Sequence, residues 1–132
     1  MSSSTSDVKA RIDAIEESYE YFLAYAAQGI TSDRAAKSGG QLREFLGRLE
    51  KGLDGLGARL AAEVGEGPKE PAVPWTHFVE VVTRDADAAL AAVRLVAAQP
   101  GVSSQLIDNL NANIHLRALL TDLFLVDELI DG

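Results

Sequence analysis

The chain has 132 residues, of which 47% are hydrophobic and 24% charged, a balance typical of one folded globular domain and not of a disordered chain. It contains no cysteine, which excludes disulfides, thiolate metal sites and cysteine catalysis. The net charge of −8, with 20 acidic and 12 basic residues scattered along the chain, predicts that the protein binds neither nucleic acid nor an anionic membrane surface.

Residues 1–5 are polar and lack the apolar stretch of a signal peptide, so we interpret them as a disordered tail. Residues 6–132 then form a single helical domain. No apolar run approaches the roughly 20 residues that a membrane-spanning helix requires. A soluble protein located in the cytoplasm is therefore expected.

The first predicted helix covers about 7–28. Its apolar residues alternate in spacings of four and three, which places them on one face: Val8, Ile12, Ile15, Tyr19, Phe22 and Ala26. Tyr21 and Tyr25 lie on the far side, where charged residues are usual. Because tyrosine is enriched at interfaces, we predict that both contact a partner; the alternative is that their rings lie along the surface.

The second predicted helix covers about 33–64 and repeats this spacing with leucines: Leu42, Leu46, Leu49, Leu53, Leu56 and Leu60. Gly52 and Gly57 flank that leucine stripe, where they would let neighbouring helices approach closely. Gly47 and Gly55 project outward, and nothing in the pattern explains them.

The third predicted helix covers about 75–99 and follows a linker at 65–74, whose prolines and glycines exclude regular helix. Its apolar stripe is Val79, Val82, Ala86, Leu90, Val93 and Ala97. Pro100 and Gly101 end the helix.

The last predicted helix covers about 103–130 and changes its apolar face along its length. In its first half one side contains Leu106, Ile107, Leu110 and Ile114, and in its second half another side contains Leu116, Leu119, Leu123, Val126 and Ile130. The drift of a helix against a heptad pattern, about 20° per repeat, is too small to explain this change. The pattern therefore predicts a kink or break near Asn111–Asn113, or burial on more than one side.

The second half of this last helix is apolar nearly all round, which a small bundle cannot easily cover. Leu125 and Leu129 widen its main apolar side, while Leu120 and Phe124 point toward the opposite one. We therefore predict that a second subunit or another protein covers it. The residues predicted to bind that partner are Leu119, Leu123, Val126 and Ile130, together with Tyr21 and Tyr25.

Four long periodic segments with short connections, and no alternating strand pattern, predict an all-α fold. The expected architecture is an antiparallel, up-down-up-down four-helix bundle.

Three polar residues lie on or beside the apolar faces of the last helix, and we expect them to be buried. Arg117 continues the stripe of the first half, Asp122 projects between apolar residues of the second, and His115 lies between the two. They are interpreted as structural, for example a buried ion pair that fixes subunit register. A catalytic role is the alternative, because perturbed charges cluster at active sites.

The sequence contains no catalytic, cofactor or metal motif. His77 and Glu80 share a helical face, but a carboxylate-bridged di-iron bundle needs Glu-x-x-His, which is absent, and a zinc site needs three or four ligands. We predict no catalytic residue, no cofactor and no metal. The absence of such motifs favours a protein that is not an enzyme.

The leading hypothesis is a non-enzymatic interaction protein, such as an adaptor, assembly factor or chaperone-like accessory protein, acting as a homodimer or with a larger partner. The alternative is a small-molecule-binding bundle or small enzyme with an interhelical pocket. Such a pocket would be lined by Tyr19, Phe22, Phe78 and Phe124, with Asp122 or His115 as its polar group.

Overall fold

The computed structural model describes residues 6–36, 39–66 and 69–130. Within these residues the chain forms six α-helices and no strand, so the all-helical prediction is confirmed. The helices are α1 (Asp7–Ala26), α2 (Gly39–Leu53), α3 (Leu56–Glu66), α4 (Ala72–Ala97), α5 (Ser104–Asn111) and α6 (Ile114–Leu129), with one 3-10 turn at Asp33–Ala35. The tail predicted at 1–5 lies outside the described residues.

Two of the four predicted segments are each divided into two helices. The second breaks at Gly55, whose left-handed backbone, with φ of 76°, ends α2 and starts α3. The last breaks ahead of α6, where the Asn113 side chain accepts hydrogen bonds from the backbone N–H groups of His115 and Leu116. The predicted break near Asn111–Asn113 is confirmed. The predicted bundle of four helices is not confirmed, because the described residues form six helices.

All six helices contribute to one continuous hydrophobic core, which contains most of the apolar stripes predicted from the sequence. Helix α1 packs mainly on α2 and α5, whereas α4 packs on α6, α3 and α2. The break between α5 and α6 thus lets one stretch of chain cover two different helices, α1 with its first half and α4 with its second.

Two glycines allow the close helix contacts that the sequence predicts. A Cβ atom on Gly57 would lie 2.0 Å from Thr83 Oγ1 of α4 and 2.9 Å from the Thr83 Cα atom. A Cβ atom on Gly52 would lie 2.8 Å from Ile15 Cγ1 of α1. Open space surrounds Gly47 on α2 instead.

A polar cluster joins the connections at one end of the molecule. The buried Asp33 carboxylate accepts hydrogen bonds from Arg43 Nε, at 2.8 Å, and from the Val102 backbone N–H, at 2.6 Å. Arg43 also donates to the carbonyl oxygens of Ala97 and Gln99, at 2.8 and 2.9 Å. One guanidinium therefore ties the start of α2 to the end of α4.

Among the described residues, none of the helices combines the length and the apolar character needed to cross a membrane.

Candidate functional site

The four residues of the last helix that were predicted to bind a partner lie in the core of the chain itself. Leu119, Leu123, Val126 and Ile130 are all at most 4% exposed. The reason is the break before α6, which turns this side of the helix toward α4 and α1. These side chains are therefore covered within a single copy and are not exposed on its surface.

The two tyrosines on the far side of α1 also contact their own chain. Tyr25 is fully buried, and its hydroxyl donates a hydrogen bond to the Val102 carbonyl oxygen at 2.8 Å. Tyr21 is half-buried and stacks on Phe45 of α2, with ring centroids 4.5 Å apart. Tyr25 thus belongs to the core, while part of the Tyr21 ring remains at the surface.

Of the three polar residues expected to be buried in the last helix, only one is withdrawn from solvent. His115 and Arg117 are exposed, because they lie in the first turns of α6 on the side away from the core. Asp122 is half-buried, on the side of α6 that faces α4. The expectation of burial was wrong for His115 and Arg117.

Asp122 faces a second carboxyl group, that of Asp85 on α4. Burial raises the pKa of Asp122, and the hydrogen bond and negative charge of Asp85 raise it further, to about 7. Its Oδ2 atom is buried and accepts no hydrogen bond from a donor among the described residues. A carboxyl group beside a second carboxyl group is stabilised in its protonated form, so Asp122 keeps its proton to a higher pH than an ordinary aspartate does.

Replacing Asp122 with asparagine should therefore change how stability depends on pH. Between about pH 4 and pH 7 the folded chain holds a proton that the unfolded chain, with an ordinary aspartate pKa near 3.8, has released. The free energy of unfolding of the natural protein consequently falls as the pH rises through this range. Asparagine does not ionise, so D122N should be more stable than the natural protein at pH 8, by about 1 kcal/mol after allowing for solvent around a half-buried group.

Urea unfolding at pH 4 and pH 8 measures this difference, which should nearly vanish at pH 4. Asp108→Asn, at an exposed carboxylate of α5, is the matched control and should change stability by less than about 0.5 kcal/mol at both values. An equal gap between D122N and the natural protein at both pH values would contradict the raised pKa of Asp122.

An apolar groove lies where the start of α4 meets the end of α6. It has a volume of about 170 Å³ and is lined only by apolar residues: Pro71, Pro74, Trp75, Phe78, Leu125, Val126 and Leu129. Leu125 and Leu129 are each 54% exposed, so this groove opens onto an apolar surface.

Exposed apolar side chains are concentrated on these same two helices. Of the seven large hydrophobic residues that are exposed in the described chain, all but Leu23 lie on α4 or α6: Val73, Leu95, Ile114, Phe124, Leu125 and Leu129. Leu95 and Ile114 are 68% and 73% exposed. A single exposed leucine is ordinary, whereas several exposed apolar residues on two neighbouring helices are less common in a monomeric protein.

Helical spacing arranges most of these residues in two outward stripes on neighbouring helices. We define the α4–α6 face as the stripes Val81, Ala88 and Leu95 of α4 and Ile114, Ala118, Thr121, Leu125 and Leu129 of α6, with Asp85 and Asp122 between them. The α6 stripe repeats at four and three residues and the α4 stripe at seven. The outward repeat of α4 is the signal in the sequence that could have located this face.

In the part of the chain that the structure describes, the four aromatic residues that the sequence suggested as a pocket lining do not surround one cavity. Phe22 is fully buried and Tyr19 packs against the core from α1, whereas Phe124 is 61% exposed on α6. Of the four aromatic residues only Phe78 lines the apolar groove. Within the described residues, no cluster of three or more His, Asp or Glu side chains is arranged to hold a metal ion.

Comparison of the chain with protein-family models, curated proteins and solved structures finds no match.

Proposed function

We propose that this protein is a non-enzymatic interaction protein, an adaptor, assembly factor or chaperone-like accessory protein, that acts as a homodimer or with a larger partner through its α4–α6 face. The observation that supports the proposal is the concentration of exposed apolar side chains on this one pair of helices. A cytoplasmic location is part of the proposal. So is the interpretation of the six helices as an up-down-up-down bundle of four, two of them broken.

Leaving the apolar side chains of this face exposed to water is costly. Burying a leucine or isoleucine side chain stabilises an assembly by roughly 1.5–3 kcal/mol through transfer from water. Leu95, Ile114, Leu125 and Leu129 each expose half or more of their surface in a single copy. Monomeric proteins rarely expose apolar patches larger than a few hundred Å², whereas interaction surfaces commonly do.

The apolar groove beside the α4–α6 face does not fit the small-molecule alternative. Ligand pockets usually have volumes of about 300–1,000 Å³ and contain a few polar groups that fix the ligand's orientation. The apolar groove has about 170 Å³ and no polar lining residue.

Site-specific photo-crosslinking in the native host tests the proposal. A photoreactive amino acid at Leu125, inside the α4–α6 face, should give a crosslinked species, because this side chain contacts a partner. The same probe at Glu44, an exposed position on α2, is the matched control and should give none. A product at twice the chain mass indicates a homodimer, and any other mass indicates a different protein.

The Leu125 adduct should also disappear when Leu129→Lys is added, because that change places a charge on the same face. No adduct at Leu125, or equal labelling at Glu44, would contradict an interaction through this face.

A further inference from the structure

Resting on the proposed function, we propose that the partner on the α4–α6 face is a second copy of this chain, held in register by Arg84 of each copy against the Asp85–Asp122 pair of the other.

The first observation is an acidic pair without a cation. Asp85 and Asp122 lie between the two apolar stripes, and neither takes part in an ion pair among the described residues. Packing an apolar partner directly over this pair would withdraw a negative charge from water without compensation, which is costly. A partner that covers the face therefore has to place a positive charge there.

The second observation is that the same face carries a cation without an anion. Arg84 is exposed and falls between Val81 and Ala88, which places it on the outward side of α4. Five arginines form ion pairs with described carboxylates, whereas Arg84 forms none with a described residue. It lies beside the outward stripe of α4, yet it forms no ion pair with a described carboxylate of its own copy.

These two observations fit a two-fold contact. In an isologous interface the same patch meets itself, so any contact from Arg84 to the acidic pair of the partner subunit occurs twice. The face then supplies both the apolar area and both signs of charge. The net charge of −8 opposes association of two copies at long range, but at physiological salt it is screened beyond about 8 Å, whereas contacts in the interface are not.

The mass in solution, measured by light scattering, tests the identity of the partner. The natural protein at micromolar concentration should have twice the chain mass of 14.1 kDa, and Leu125→Lys should have the mass of one chain. A natural protein that remains a monomer at about 100 μM overturns the second copy. If the natural protein is a monomer, a crosslinked product at Leu125 whose mass is not twice that of the chain would still support the proposed function. The absence of any crosslinked product at Leu125 would contradict both the proposed function and the second copy.

Charge reversal tests the register. Arg84→Glu and Asp122→Arg should each weaken dimerisation about ten-fold or more. In a homodimer of either variant, like charges face one another at both of the symmetry-related contacts. An equimolar mixture should recover the dimer, since both contacts are then complementary again. Arg34→Glu is the matched control, because this arginine lies in the 3-10 turn and also forms no ion pair with a described residue. Its charge reversal should leave the mass of the protein in solution unchanged.

Circular dichroism melts verify that each variant is folded, and Asp85→Arg replaces Asp122→Arg in the mixture if the latter is not. A dimer that Arg84→Glu does not weaken, or a mixture that stays monomeric, overturns the register.

Discussion

Replacing Asp33 with alanine is expected to lower the free energy of unfolding by about 3 kcal/mol at pH 7. The carboxylate is only 5% exposed and accepts hydrogen bonds from the Arg43 guanidinium and the Val102 backbone N–H. Its removal leaves both donors without their anionic acceptor in a part of the molecule that water reaches poorly. Urea unfolding of the natural and variant proteins measures the loss.

A pH series separates this explanation from simple loss of packing. Burial alone would raise the pKa of Asp33, but the hydrogen bonds from Arg43 and Val102 and the Arg43 charge outweigh it, so the pKa lies below its ordinary value of 3.8. The folded protein therefore keeps this carboxylate ionised to lower pH than the unfolded chain does. The stability that Asp33 contributes is present above about pH 4 and is lost as the pH falls through its lowered pKa.

The stability curves of the natural protein and D33A should consequently converge below pH 4. Asp54→Ala is the matched control, because Asp54 also pairs with an arginine, Arg94 at 3.4 Å, but is 65% exposed. Its loss should cost at most about 1 kcal/mol. A gap between D33A and the natural protein that is unchanged down to pH 2 would contradict an ionic origin.

Replacing Gly57 with alanine is expected to destabilise the protein by about 2 kcal/mol, although alanine is the better helix former. The gain in helix propensity is about 1 kcal/mol, but overpacking of a tight contact costs roughly 1–3 kcal/mol or more. The clash is severe here because the added Cβ would lie within 3 Å of three Thr83 atoms, one of them backbone. Rotation of the threonine hydroxyl cannot relieve it, so α3 has to move away from α4.

Gly47→Ala provides the control, since the same change in an open part of α2 should stabilise the protein by about 0.5–1 kcal/mol. Adding Thr83→Ala to Gly57→Ala should recover only part of the loss, because the Cβ and Cα atoms of residue 83 remain. Thermal unfolding of the variants measures both effects. A stabilising Gly57→Ala would show that α3 and α4 are not in close contact at this residue.

The periodic stripes of the sequence predict the helices and the core because burial on one side of a helix produces a regular repeat. The repeat predicts that the leucines of the second segment, from Leu42 to Leu60, and the stripe from Val79 to Val93 are buried. All of these stripe residues lie in the hydrophobic core. The break at Asn113 could be predicted as well, since the apolar side changes there by more than a straight helix allows. The break at Gly55 could not, because several glycines lie in that segment and only the backbone conformation distinguishes one from another.

The candidate interaction surface was harder to predict for a physical reason. Helix α6 is apolar nearly all round, so its pattern shows that it needs cover but not which side its own chain covers. The structure assigns Leu119 and Leu123 to the core and leaves Leu125 and Leu129 outside. The pairing of Asp85 with Asp122 likewise depends on α4 and α6 being neighbours, which no spacing within either helix specifies.

Two arginines complete helix ends that belong to other parts of the chain. Arg11 of α1 donates to the carbonyl oxygens of Lys51, Gly52 and Asp54 at the end of α2, as Arg43 does at the end of α4. The last turns of these helices therefore cannot fray by themselves, because opening them also breaks contacts with a distant segment. Amide hydrogens in these turns should exchange with solvent through larger cooperative openings and not through local motion at the helix ends.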